Sequence, residues 1–208
     1  MTILKHENQM IETIRSYGIY DEELFSAMKK AKRHHFLPEY PVEEAYGDFP
    51  LPVEREQTVS QPYTVAFMLH HLELKKGLNV LEVGTGTGWS SAVIKELVGE
   101  TGKVTSVEWM PELVLRARKI LKEKRYEIDV VEGDGSKGYP ENAPYDRIIV
   151  SCAPKKIMPA WIEQLKIGGV LVVPIGQDIQ VMFKVTKEEE GLKKENLGYF
   201  RFVPLQEA

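Results

Sequence analysis

The chain has 208 residues, 43% of them hydrophobic and 28% charged, with a formal net charge of −4. That suffices for one domain with a substantial core and is too little for two ordinary ones. No apolar run reaches bilayer-spanning length, the opening Met1-Thr2-Ile3-Leu4-Lys5-His6-Glu7 turns polar at once, and the acidic balance attracts no nucleic acid globally. A cytoplasmic protein with no membrane or nucleic-acid partner is expected.

Residues 7–17 and 21–35 read as two helices separated by Tyr17-Gly18-Ile19-Tyr20. Asp21 is placed to cap the second, and Leu24, Phe25, Met28 and Ala31 form its apolar stripe. The basic run Lys29-Lys30-Ala31-Lys32-Arg33-His34-His35 closes that helix, where cations offset the negative end of the dipole. Pro38 and Pro41 stop the pattern. Residues 38–61 then show no period, and a loop of that length in a compact domain is usually functional or disordered. Its Tyr40, Val42, Tyr46, Phe49 and Leu51 argue for order. Pro62 opens a third helix through Leu72.

After Lys75-Lys76-Gly77 the pattern alternates between strands at 79–83, 103–107, 128–131, 146–151 and 170–174 and helices near 89–98, 111–125 and 156–165. Such alternation implies an α/β fold, a mostly parallel sheet with helices on both faces and right-handed crossovers. The basic residues from Arg116 to Arg125 alternate with apolar ones at helical spacing and read as a solvated helix face. Cys152, the single cysteine, ends an apolar strand and reads as a structural thiol. One cysteine and adjacent-pair histidines offer no metal-ligand spacing, so no metal is expected. Strands at 179–186 and 196–203 make an antiparallel addition at one edge.

The chemistry concentrates where strands meet glycines. Asn79-Val80-Leu81-Glu82-Val83 runs into Gly84-Thr85-Gly86-Thr87-Gly88, then Trp89 begins a helix. Ligands of open α/β sheets bind at the carboxyl ends of the strands, and glycines there let the backbone approach closely. The next strand ends in Glu108, a carboxylate able to accept from both hydroxyls of a ribose. The third ends in Glu132-Gly133-Asp134-Gly135, where Asp134 can accept from an adenine amino group. Any of these alone reads as a tight turn or a solvated acid; three successive strand ends carrying them in order point to an adenosine ligand. A dinucleotide site wants a third glycine where Trp89 stands, to let helix and strand pack beneath a pyrophosphate. S-adenosylmethionine has no phosphate, and its amino group tolerates an acid such as Glu82 near the turn.

With these residues in place the chain resembles the protein-L-isoaspartate O-methyltransferases over essentially its whole length. Val80 to Trp89, Tyr145-Asp146-Arg147-Ile148-Ile149-Val150-Ser151 and Leu165 to Gly176 look like the family's three cofactor-domain motifs. Ala45 to Pro52 and Glu56-Gln57-Thr58-Val59-Ser60-Gln61-Pro62-Tyr63 look like its signature stretch, and Arg201-Phe202-Val203-Pro204-Leu205 is similar to its ending. Arg55-Glu56 depart from the glycine expected before Gln57. The resemblance implies a Rossmann-like S-adenosylmethionine-dependent methyltransferase fold in one domain. Residues 1–76 would form N-terminal helices and a substrate loop, 77–176 the cofactor core and 177–208 the edge strands. It implies methylation of the α-carboxylate of L-isoaspartyl residues in damaged proteins and peptides, with S-adenosyl-L-homocysteine as product, by a monomer. Carried over residue by residue, Ser60 is catalytic, and Thr58, Val59 and Ser60 contact substrate. Glu82, Gly84, Thr85, Gly86, Gly88, Glu108, Trp109, Gly133, Asp134 and Gly135 hold the cofactor.

The residues themselves agree on Ser60. Gln61 precedes a proline and is pushed toward extended geometry, so Ser60 sits just outside a helix start whose free N–H groups suit an anion. A capping role for the same hydroxyl is the bland alternative. Other readings remain: a methyltransferase for RNA or a small molecule, a noncatalytic cofactor-fold module, or a nicotinamide dehydrogenase, the last disfavoured by Trp89.

Overall fold

In the computed structural model, residues 2–54 and 57–206 are described; the Arg55-Glu56 departure lies outside them. The N-terminal part contains α1 (Ile3–Ser16), α2 (Glu22–Lys30), a 3-10 turn (Arg33–Phe36) and the short α3 (Val42–Ala45). A two-stranded antiparallel ribbon follows, β1 (Leu51–Pro52) with β2 (Thr58–Val59), and then α4 (Pro62–Leu72). The core alternates as expected: β3 (Asn79–Val83), α5 (Trp89–Val98), β4 (Lys103–Glu108), α6 (Pro111–Glu123), β5 (Asp129–Glu132) and β6 (Tyr145–Val150). It closes with α7 (Pro159–Gln164), β7 (Leu165–Gly176), β8 (Gln180–Glu188) and β9 (Gly191–Phe200).

The seven-stranded sheet has the order β5-β4-β3-β6-β7-β8-β9, parallel through β7 and antiparallel at the last two strands. The strand order reverses between β3 and β6, which is where a crevice opens at the carboxyl ends. Side chains alternate between faces along each strand. Val80, Ile149, Val170 and Val172 pack with apolar residues of α1, α2, α4, α5 and α6 on one face. Leu81, Ile148, Val150, Leu171 and Val173 face the other way, onto Met158 and Trp161. Helices therefore cover both faces, unevenly. No helix among the described residues is long and apolar enough to cross a membrane.

Several boundaries differ from the sequence reading. The second helix stops at Lys30, and the basic run splits there: Lys29 and Lys30 stay in the last helical turn, whereas Arg33 turns inward and is 0% exposed. The face of Arg116 to Arg125 is likewise not simply solvated. Arg116 pairs with Glu39 at 2.7 Å and Glu54 at 3.1 Å, and Arg118 donates to the Val130 carbonyl at 2.7 Å. These arginines had carboxylate or carbonyl partners far away in sequence, which periodicity cannot register. The stretch 38–61 is ordered around its own small core of Leu37, Ala45, Leu51 and Val59. The last strand ends at Phe200 rather than 203, because Ala153 draws the chain away: Ala153 N–H donates to Val203 O at 2.8 Å and Leu205 N–H to Ala153 O at 3.0 Å.

Candidate active site

The crevice at the switch point is built on the turn after β3. Ser151 N–H donates to Val83 O at 2.8 Å and Gly84 N–H to Val107 O at 2.8 Å, so neighbouring strands fix both sides of the turn. Gly86 lies at φ +55°, and a Cβ there would meet nothing within 4 Å. Its backbone is bare toward the crevice, as a closely held ligand needs. Gly88, at φ +88°, has a different task. A Cβ there would stand 3.2 Å from Leu121, so this glycine admits α6 against the start of α5 and does not face the crevice. Gly88 thus serves helix–helix packing, and Trp89 occupies the place where a dinucleotide turn has its third glycine.

Beneath the turn lies a buried polar cluster. Glu82 is 0% exposed; Ser90 and Ser91 donate to its two carboxylate oxygens, and Ser106 donates at 2.7 Å. Burial pushes its pKa up, and the three seryl donors oppose that. Thr85 points its hydroxyl down to Ser106 at 2.6 Å. Glu82 and the Thr85 hydroxyl therefore order the turn from below, while Glu108 stands at the crevice itself. One Glu108 oxygen accepts Gly86 N–H at 2.9 Å and the other accepts Met110 N–H at 3.0 Å. Each oxygen keeps a lone pair for a ligand hydroxyl.

Trp109 follows, 42% exposed, on the rim of a side chamber shared with Glu108, Gly135, Cys152 and Leu205. Gly133 N–H donates to Glu108 O at 2.9 Å, and Trp161 Nε1 donates to Gly135 O at 2.8 Å. Asp134 accepts from Ser136 N–H at 2.9 Å and pairs with Lys137 at 3.2 Å. The Cys152 thiol is pushed up to about 12 by burial and by Glu108, which disfavours the thiolate.

Across the crevice stands the signature stretch. Ser60 lines a narrow cleft of about 80 Å³ together with Gly84, Gly86, Trp89, Glu108 and Ser151. It also lines an outer groove of about 840 Å³ with Tyr63, Gln180, Phe200 and Val203. Thr58 borders both spaces, and Val59, largely buried in the loop's small core, borders only the narrow cleft. The Ser60 hydroxyl has no hydrogen-bond partner among the described residues, and the N-cap of α4 is Gln61, not Ser60. The helix end is also not open to an outside anion. Asp48 fills it, one oxygen accepting Tyr63 N–H at 2.9 Å and the other Gln61 Nε2 at 2.8 Å. That corrects the expectation that free N–H groups await substrate there; the loop supplies its own carboxylate.

Sequence reasoning left out the groove's far wall. Val203 and Leu205 reach the crevice because the tail pairs with Ala153, and Gln180 accepts Phe202 N–H at 2.9 Å to hold it. Another concavity, about 990 Å³ around Asn79, Lys103 and Asp129, lies at the opposite ends of the strands. Among the described residues no group of three or more His, Cys, Asp or Glu is placed to hold a metal.

Comparison with known proteins converges on one family. The sequence profile of the protein-L-isoaspartate(D-aspartate) O-methyltransferases matches residues 5–208. Protein-L-isoaspartate O-methyltransferase 2 of Archaeoglobus fulgidus is 46% identical over 200 residues, covering 95% of this chain and 91% of that protein. The Ignicoccus hospitalis protein-L-isoaspartate O-methyltransferase is 44% identical over 205 residues, covering 97% of each. A solved protein-L-isoaspartate O-methyltransferase superposes with a TM-score of 0.88 at 32% identity over 95% of this chain, which spans 65% of that longer chain. A Plasmodium falciparum structure in complex with S-adenosyl-L-homocysteine shares the fold, with a TM-score of 0.86 at 22% identity, covering 97% of this chain and 98% of that one.

Proposed function

The chain belongs to the protein-L-isoaspartate(D-aspartate) O-methyltransferase family, and from that premise we propose how its own residues carry out the reaction. It is an enzyme that moves the methyl group of S-adenosyl-L-methionine to the α-carboxylate of L-isoaspartyl residues in damaged proteins and peptides. The bare Gly86 backbone and the half-used oxygens of Glu108 fit that cofactor. Gly84 to Gly86 would hold its amino-acid end, Glu108 its ribose hydroxyls, and Trp109 with Gly133, Asp134 and Gly135 its adenine side. When bound, the cofactor supplies a methyl carbon activated by a sulfonium. Glu82, the Thr85 hydroxyl and Gly88 would shape the turn from beneath.

The isoaspartyl α-carboxylate has a pKa of roughly 3–4 and is ionised at neutral pH, so no general base is required. The protein's task is then to place a carboxylate oxygen in line with the methyl carbon and sulfur and to exclude water. The observation that carries this reading is the position of Ser60, whose unpartnered hydroxyl stands where the narrow cleft meets the outer groove. That hydroxyl would donate to the acceptor carboxylate, with the substrate backbone lying in the groove between the Thr58–Ser60 stretch and the tail. The methyl ester then cyclises without the enzyme to a succinimide, whose hydrolysis returns some normal aspartyl linkage. The test is methyl incorporation into matched isoaspartyl and aspartyl peptides. Labelling of the first alone is expected, and equal labelling would reject the assignment.

A further inference from the structure

Arg33 is the most deeply buried cation among the described residues and forms no ion pair with a carboxylate among them, although the charge of Asp48 acts on it from a distance. Its guanidinium is 0% exposed; Nε donates to the Ala45 carbonyl at 2.8 Å and Nη2 to the Ser60 carbonyl at 2.9 Å. Nη1 is buried with no hydrogen-bond partner. The flat face stacks on the Trp89 ring, 4.2 Å from the guanidinium carbon to the ring centroid. Trp89 is itself pinned, its indole N–H donating to the Ala31 carbonyl at 2.7 Å.

Burying a guanidinium opposes folding unless its partners compensate, and an apolar side chain of similar volume often serves stability as well. Two carbonyls, a ring face and one orphaned donor are a poor return in stability alone. They are a good return in geometry, because a planar fork fixes direction as well as distance. The face and the Nη2 donor of that guanidinium reach different parts of the site. Trp89 is the first residue of α5, directly after the cofactor turn, and Ser60 belongs to the loop on the substrate side. Asp48 secures the other flank of Ser60 through Gln61 and Tyr63. The Ser60 backbone is thereby clamped on both sides while its hydroxyl stays free.

We infer that Arg33 is a positioning residue for methyl transfer, one that fixes Ser60 relative to the cofactor turn by holding the Ser60 carbonyl while stacked on Trp89. This rests on the reading that the Ser60 hydroxyl orients the acceptor carboxylate. Arg33→Lys keeps the charge, but an ammonium is a rotatable point charge: it fixes no directions for its donors and has no planar face to stack on Trp89.

The experiment measures isoaspartyl-peptide turnover and S-adenosylhomocysteine affinity for wild type, Arg33→Lys, Ser60→Ala and the double variant. Rates are normalised to the fraction of molecules that bind S-adenosylhomocysteine, which removes losses due to misfolding. Arg33→Lys should lower kcat by about tenfold to a hundredfold, as a misplacement near 1 Å does. Cofactor-product affinity should stay near wild type, and the double variant should be no slower than Ser60→Ala. If Arg33→Lys does not fold, Arg33→Gln is read in the same way. Unchanged normalised kcat, independent losses in the double variant, or a parallel fall in S-adenosylhomocysteine affinity would each overturn the inference while leaving the enzymatic assignment standing. A folded wild type inert toward the isoaspartyl peptide would overturn both.

Discussion

The carboxylate of Glu108 accepts the backbone N–H of Gly86 at 2.9 Å, so the acid at the end of β4 also closes the glycine turn after β3. Glu108→Ala removes both this brace and the acceptor proposed for the ribose. S-adenosylhomocysteine affinity should fall by about 1.5–3 kcal/mol, the range for hydrogen bonds to a charged group. Gly86→Val should abolish binding, since its side chain would enter the space the ligand needs and φ +55° strains a branched residue. Calorimetry on folded protein checks both, and wild-type affinity in either variant would remove that residue from the cofactor site.

Ser60→Ala should lower turnover and leave S-adenosylhomocysteine affinity and melting temperature nearly unchanged. The stability expectation follows from the cap: Ser60 makes no capping hydrogen bond, so none is lost. Parallel rate and melting curves decide it. Unimpaired turnover would remove Ser60 from the chemistry.

Asp48→Ala should do the opposite in stability. It strips the α4 end of the acceptor for Tyr63 N–H and frees Gln61, and loss of such a cap costs about 1–2 kcal/mol. Chemical denaturation measures this directly; a change below about 0.5 kcal/mol would mean that the helix end is adequately solvated without Asp48.

His35 should make the protein acid-sensitive. Burial, with help from His34, pushes its pKa down to about 4, whereas an unfolded histidine titrates near 6.5. Between these values the unfolded chain binds the extra proton, so stability falls as pH drops from 6.5 toward 4 and this contribution is flat above 6.5. His35→Gln should flatten the melting temperature over that window relative to wild type. Parallel curves across it would show that His35 is not the group responsible.

Substrate choice should be sharp. An isoaspartyl residue carries its α-carboxylate one carbon from Cα and sends the onward chain through the extra methylene, while an aspartyl residue reverses the two branches. A site that fixes both backbone and carboxylate puts the wrong branch out of line, and a 1 Å error costs on the order of a hundredfold in rate. Matched peptides should therefore differ by at least about that factor in kcat/KM. A ratio near one would mean that the groove does not hold the backbone.

The sequence alone determined the alternation of β3 to β7 with their helices, and the order in which Gly84, Glu108 and Asp134 appear at successive strand ends. Both are local: period-two and helical patterns, turn glycines and strand termini are written in consecutive residues. The Ser60 stretch was legible for another reason, its likeness to a family signature. What residues 29–35 and 116–125 do was not legible, because a basic residue reads as solvated until its partner is known. Only the tertiary structure placed Arg33 between Ser60 and Trp89, Arg116 on Glu39, Asp48 at the start of α4, and Val203 against the crevice through Ala153. Each joins residues remote in sequence, and a buried polar group takes whichever donor or acceptor the packing brings within reach.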